Sequence, residues 1–242
     1  MRMILVCGCG HSGTSLTSAM IAAHPRVYGV NVETDVFHKE DGPDAIRAFF
    51  ETHYAPHARA AGADFMCEKT PRHVHCLGLM RETYPDAALV APVRDPRDVA
   101  MSLKRRTGSL QRGIDRWTGD NAALRDRIEE NGDVHVFRYE SLIETPRATL
   151  EGVCRHIGLA FDPAMLDYHR DDREWYGADR REETDGTNGN DQRALRNWQV
   201  HQPLMDRRGL WREGLAAEEI TEVEAACAEL MDYFGYARET DR

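Results

Sequence analysis

Apolar residues come in short blocks separated by polar, glycine-containing turns, and the blocks alternate between two kinds. Met3 to Val6 is a continuous apolar run suited to a buried strand, GCGHSGTS follows, and Leu16, Met20 and Ile21 then recur at helical spacing. The same order repeats down the chain. Arg26 to Val32 reads as a second strand, and Pro43 to Arg59 carries Ile46, Phe49 and Phe50 in a helical pattern that Gly62 breaks. Phe65 to Cys67 is a short strand ending in Glu68-Lys69-Thr70-Pro71, and His73 to Thr83 is helical. Ala87 to Val93 is apolar enough for a central parallel strand. There Arg94 is the last strand residue, Asp95 caps the next helix, Pro96 takes its first position and Ser102 lies about two turns in. Trp117 and Leu124 anchor a helix between Thr107 and Asn131, and Val134 to Phe137 is a further strand. Leu150, Val153, Cys154 and Ile157 then give a helix that opens at Thr145-Pro146 and ends at Gly158. A last helix carries Ile220, Val223, Cys227, Leu230, Met231 and Phe234 on one face.

Strands alternating with helices predict an α/β fold of P-loop type, three layers α/β/α around a mostly parallel central sheet. The 242 residues are expected to form a single domain, and 41% hydrophobic residues suffice for its core. Residues 170–197 are charged, glycine-containing and without a clear pattern, which predicts a lid or mobile substrate loop. DGTNGND within that stretch fails as a calcium loop, because Asn190 stands where the sixth-position glycine belongs.

The formal net charge of -10 argues against a nucleic-acid-binding surface, so an anionic ligand must be held by local cations. No apolar segment is long enough to span a membrane, and Met1 runs into the first strand without a signal-peptide layout; a cytoplasmic protein is expected. The six cysteines, Cys7, Cys9, Cys67, Cys76, Cys154 and Cys227, show no CxxC pair and suit reduced thiols. Cys7, Cys9 and His11 match no zinc spacing.

The candidate chemistry starts at the first loop. Glycines at 8, 10 and 13 let the backbone approach a ligand, and the helix start offers free N–H groups to an anion, so the loop is expected to hold a phosphate. Aligned on the ATP-binding pattern, it carries Thr14 where the lysine should stand. Glu33 and Lys69 follow strands at their carboxyl ends, where ligands of open α/β sheets collect. Arg94 with Ser102 makes a second anion site, separate from the first. The basic turn Arg207-Arg208-Gly209 is either a solvated loop or a third contact to an anion, and the second is the expectation. Two anion sites and a triphosphate loop without its lysine describe a nucleotide with phosphates at both ends of its ribose.

With these residues in order the chain resembles the sulfotransferases that use 3′-phosphoadenosine 5′-phosphosulfate (PAPS), especially the bacterial and carbohydrate-type branch. Gly10-His11-Ser12-Gly13-Thr14-Ser15 resembles that family's 5′-phosphosulfate loop, Glu68-Lys69-Thr70-Pro71 its EKTP segment and Arg94 to Ser102 its 3′-phosphate segment. Arg138-Tyr139-Glu140-Ser141-Leu142 resembles its RYExL strand end, and Gly209-Leu210-Trp211-Arg212 its closing turn. The resemblance implies in-line transfer of a sulfuryl group from PAPS to a hydroxyl or amine of a carbohydrate, lipid or small-molecule acceptor, with no metal required. It implies that Gly10 to Ser15, Arg94, Ser102, Arg208 and Gly209 bind the nucleotide. Glu33 in Glu33-Thr34-Asp35-Val36-Phe37 is the candidate general base, with His38 as runner-up. His11 stands where many members carry lysine or arginine, so the cationic task at the leaving group is expected to fall largely on Lys69. Phe37, Arg72, Trp175 and Tyr176 are the acceptor-facing candidates. A P-loop kinase for small molecules or nucleotides competes with this reading, but would need magnesium and a loop lysine. A non-catalytic nucleotide-binding homologue is the third reading, supported by His11.

Overall fold

Burial on both faces explains the apolar runs. In β1 (Arg2–Val6), Met3 and Leu5 enter the core on one side of the sheet and Ile4 and Val6 the core on the other. A computed structural model describes residues 1–170, 175, 183 and 189–239. Among these, β1, β2 (Val27–Gly29), β3 (Phe65–Lys69), β4 (Ala88–Val93) and β5 (Val134–Arg138) form one wholly parallel sheet in the order β2-β3-β1-β4-β5. The chain leaves β1 for one edge and later returns on its other side at β4, so a topological switch point lies at the carboxyl end of β1.

Helices cover both faces, giving the expected P-loop-type α/β/α sandwich. On one face pack α1 (Thr14–Ala22), α8 (Tyr139–Glu144), α9 (Pro146–Ile157) and α10 (Gly189–Val200), contributing Met20, Ile21, Leu142, Val153, Ile157 and Val200 to the core. On the other lie α2 (Val36–Lys39), α3 (Pro43–His53), α4 (Ala55–Ala60), α5 (Leu77–Thr83), α6 (Pro96–Thr107), α7 (Leu110–Asn131) and α12 (Ala217–Phe234), with a short α11 (Trp211–Gly214) beside α6. Helices α6 and α7 approach so closely at Gly113 that a β-carbon there would sit 2.5 Å from the Ala100 Cα. No helix among the described residues is long and apolar enough to cross a membrane.

Several boundaries differ from the sequence expectation. Strand β2 stops at Gly29, because Asn31 turns the chain with φ 61°. Strand β3 runs on to Lys69, with Glu68 and Lys69 in register with Leu5 and Val6. The helix expected over 43–59 breaks at Tyr54, where Pro56 has no N–H for the preceding turn. Pro71–Cys76 forms a 3-10 turn ahead of α5. Strand β4 ends at Val93, one residue before Arg94. Asp95 caps α6 as expected, its carboxylate accepting from the Arg97 amide at 2.9 Å. Of the lid expected at 170–197, most falls outside the described residues, but Gly189–Val200 is helical rather than patternless. Its buried positions are Ala194, Asn197 and Val200, three apart, and an asparagine in the middle hides the apolar stripe.

Candidate active site

Three connections converge at the switch point: the loop from β1 to α1, the loop after β2, and the turn after β4. Together with α6 and α10 they wall a cleft of about 620 Å³. Gly10, His11, Gly13, Thr14 and Ser15 form its floor. Gly13 precedes α1 with φ 90° and has no side chain to cap the helix, so the first-turn amides face the loop. The Tyr139 ring lies against it, and a β-carbon on Gly13 would sit 2.7 Å from Tyr139 Cδ2. Ser12 is completely buried and does not line the cleft.

Arg94 and Ser102 do not form a separate site, as the sequence suggested; both are fastened to the loop. Ser102 Oγ lies 2.9 Å from His11 Nδ1, and Arg94 donates to the His11 carbonyl at 3.2 Å. Arg94 also donates to the Arg207 carbonyl, pairs with Asp98 at 3.4 Å and stacks on the Tyr139 ring at 4.6 Å. The two anion sites are therefore one continuous cleft. Arg105 and Arg106 follow Ser102 by three and four residues, so helical spacing places them on the same face of α6, a signal that sequence reasoning passed over. Arg196 and Arg207 complete a wall of five arginines, against which the described residues set Glu33 and Glu183. Partial shielding in the cleft wall and the like charges of Arg196 and Arg116 pull the guanidinium of Arg106, an exposed residue overall, below the usual arginine range. A cluster of this kind calls for an anion.

Glu33 lines the cleft. Its carboxylate receives Lys69 Nζ at 2.6 Å and the guanidinium of Arg196, reaching over from α10. Burial pushes Glu33 up, but Lys69 and Arg196 outweigh it and hold the carboxyl below its usual range, so it is ionised at neutral pH. Lys69 is itself buried behind Glu33 and is not on the cleft wall. The fully buried Glu68 positions this pair. It accepts from Thr34 Oγ1 at 2.9 Å and Thr70 Oγ1 at 2.6 Å, and lies 3.2 Å from His73 Nδ1. That ties the residue beside Glu33 to the end of β3.

Other candidates are placed elsewhere. His38 points its Nε2 to the Arg72 carbonyl at 3.1 Å and lies beside Cys76 Sγ, away from the cleft wall. Phe37 is buried, edge-on to His73 at 4.9 Å, because α2 turns it into the core. Arg72 borders a different depression of about 410 Å³, with His75, Arg116 and Asp120. Trp175 is buried in the core beneath α10, its amide donating to Asn197 Oδ1 at 3.3 Å, while Tyr176 lies outside the described residues. Arg208 is engaged by Asp206 at 2.8 Å and by Glu144, and the neighbouring Arg207 faces the cleft instead. The Gly209 amide is committed to Asp98 at 2.8 Å.

This is an arginine-walled cleft at the switch point of a P-loop-type α/β fold. The profile of the sulfotransferase family matches residues 32–163, more than half of the chain and the part that carries Glu33, Lys69, Arg94, Ser102 and Tyr139. The chain belongs to the sulfotransferase family. It is 27% identical over 216 residues to the nodulation protein NoeE of Sinorhizobium fredii, covering 78% of this chain but only 49%, about half, of that protein. Among solved structures, the sulfotransferase domain of the Synechococcus PCC 7002 olefin synthase superposes with a TM-score of 0.71 at 19% identity, over 98% of this chain and 94% of that one. Mouse sulfotransferase SULT7A1, complexed with PAP, does so with a TM-score of 0.59 at 14% identity, over 96% and 85%. At such identities the likeness is one of fold.

Proposed function

We propose that the chain transfers a sulfuryl group from PAPS to a hydroxyl or amine of a carbohydrate, lipid or small-molecule acceptor. The observation that carries this reading is the joining of the phosphate-type loop to Arg94 and Ser102 through His11, in a cleft rich in arginine. The residues present fit such a nucleotide. The first-turn amides of α1, with Thr14 and Ser15, receive the 5′ end. Arg94, Ser102 and the Arg207 side chain receive the 3′-phosphate. Arg208 and Gly209 are left out of that assignment, since carboxylates already occupy them.

When bound, the nucleotide supplies a sulfuryl group joined to a phosphate that departs with the bonding electron pair. The chain supplies the proton acceptor and the surrounding charge. Glu33, ionised and on the cleft wall, takes the acceptor's proton as the new S–O or S–N bond forms. Lys69 serves as a positioning residue, holding Glu33 from behind rather than touching the leaving group. Arg196 bridges Glu33 from α10 and encloses the reacting centre.

Thermal shift tests the donor. Adenosine 3′,5′-bisphosphate (PAP) at about 100 times its Kd should add about 2.7 kcal/mol of stability. That raises Tm by roughly 5–10 °C for a chain of this size. ATP with magnesium should leave Tm nearly unchanged. Stabilisation by ATP–magnesium alone would assign the cleft to a kinase.

A further inference from the structure

The loop from Gly8 to Ser15 contains no lysine or arginine, and the only titratable ring in it is His11. Burial, reinforced by Arg106, Arg196, Arg94 and Arg116, pushes that imidazole down to about 3, so His11 is neutral at any physiological pH. Its two nitrogens are also committed. Ser102 Oγ lies at Nδ1, and Arg106 Nη1 lies 3.5 Å from Nε2. A guanidinium only donates, so Nε2 presents its lone pair to Arg106 and Nδ1–H donates to Ser102. His11 therefore brings neither charge nor a free N–H to a leaving phosphate that must gain negative charge as its bond to sulfur breaks.

Arg106 does bring a charge. Arg94 is paired with Asp98, and Lys69 and Arg196 are on Glu33. Among the described residues Arg106 has no carboxylate within ion-pair distance, and what it meets on the cleft wall is the imidazole of the loop. Arg105 and Arg207 also line the cleft, but the loop contact at His11 belongs to Arg106.

We propose that Arg106 supplies the fixed cation that the loop lacks, its guanidinium steered by the lone pair of His11 Nε2 onto the 5′-phosphosulfate end of the nucleotide. The inference rests on PAPS as donor. It makes His11 a positioning residue and Arg106 a charge-bearing member of the site, delivered by α6 instead of by the loop.

Calorimetric titration of the whole chain with PAP and with adenosine 3′-phosphate, in the absence of acceptor, tests it. Arg106→Ala should weaken PAP about tenfold more than adenosine 3′-phosphate, because only PAP carries at its 5′ end the charged phosphate that departs in the reaction. Arg106→Lys should keep most of the preference, and His11→Lys placed in the Arg106→Ala background should restore it to within about threefold. Arg106 is exposed, so unliganded melting should be unchanged and a folding defect is separable. Equal losses for both nucleotides, no loss for either, or no rescue by His11→Lys would overturn the proposal. Wild-type protein that binds neither nucleotide would instead remove PAPS as donor, and the Arg106 assignment with it.

Discussion

Replacing Gly13 by alanine perturbs the loop at the point where backbone and packing constraints coincide. A φ of 90° costs an L residue about 1–2 kcal/mol. The new methyl would lie 2.7 Å from Tyr139 Cδ2, and an overpacked site of this kind adds about 1–3 kcal/mol. The sum, roughly 2–5 kcal/mol, is a large part of a normal domain's 5–15 kcal/mol. It should appear as a fall in Tm of roughly 4–20 °C. The Tyr139 ring cannot move alone, because the Arg94 guanidinium sits 4.6 Å above it, so PAP affinity should fall as well. Thermal unfolding of Gly13→Ala, Tyr139→Leu and the double variant separates the two causes. Removing the ring should return the overpacking share, giving a favourable coupling of about 1–3 kcal/mol, and leave the backbone share behind. A Gly13→Ala protein within 1 kcal/mol of wild type, or a double variant that is simply additive, would refute the reasoning.

Lys69→Met should cost about 1–3 kcal/mol at pH 7, since it removes one of the two cations from a half-buried carboxylate. Because the Glu33 pKa is lowered in the folded state, its contribution is present above the unfolded value and is lost as pH falls through the folded one. The gap between wild type and Lys69→Met in urea unfolding should therefore narrow below about pH 4.3, and a gap that ignores pH would remove Glu33 as its source. Glu33→Gln should lower turnover at least about 100-fold with any acceptor the wild type uses, while PAP affinity stays within about threefold; retained turnover would require another base. Arg94→Ala should weaken PAP by about 10- to 100-fold but adenosine 5′-monophosphate far less, as equilibrium titration would show. Equal losses would place Arg94 away from the 3′-phosphate.

What could be read in the sequence follows from what burial does to it. A strand buried on both faces must be apolar throughout, so β1 and β4 were visible, and polar residues at or just beyond the ends of β2, β3 and β4 marked the carboxyl edge where Glu33, Lys69 and Arg94 collect. Side-chain direction is not encoded that way. Nothing in Glu33-Thr34-Asp35-Val36-Phe37 says that Glu33 faces the cleft while Phe37 turns into the core, since that depends on the hydrogen bonds from Thr34 to Glu68. Arg207 and Arg208 are adjacent in sequence and alike in chemistry, yet Asp206 and Glu144 decide which one faces away. Arg196 gave no signal at all, because the helix that carries it buries an asparagine where a pattern would need an apolar residue.

The backbone shows why these contacts persist. Among the described residues, the non-glycine positions with left-handed φ are His11 at 69°, Asn31 at 61° and Asp35 at 58°. Each stands in a loop at the carboxyl end of β1 or β2, and Asn31 and Asp35 bracket Glu33. Such conformations cost about 1–3 kcal/mol unless the surroundings over-determine them, less for Asn and Asp than for His. At His11 the determinants are Ser102 on the ring and Arg94 on the carbonyl. At Asp35 they are the Thr70 hydroxyl on its amide and, one residue earlier, the Glu68 carboxylate on Thr34. The strain at both loops is thus held by residues that belong to the cleft or to the end of β3. Relaxing either loop would move His11 off Ser102 or Glu33 off Lys69, which makes the unfavourable backbone a requirement of the site's geometry rather than an accident of the fold.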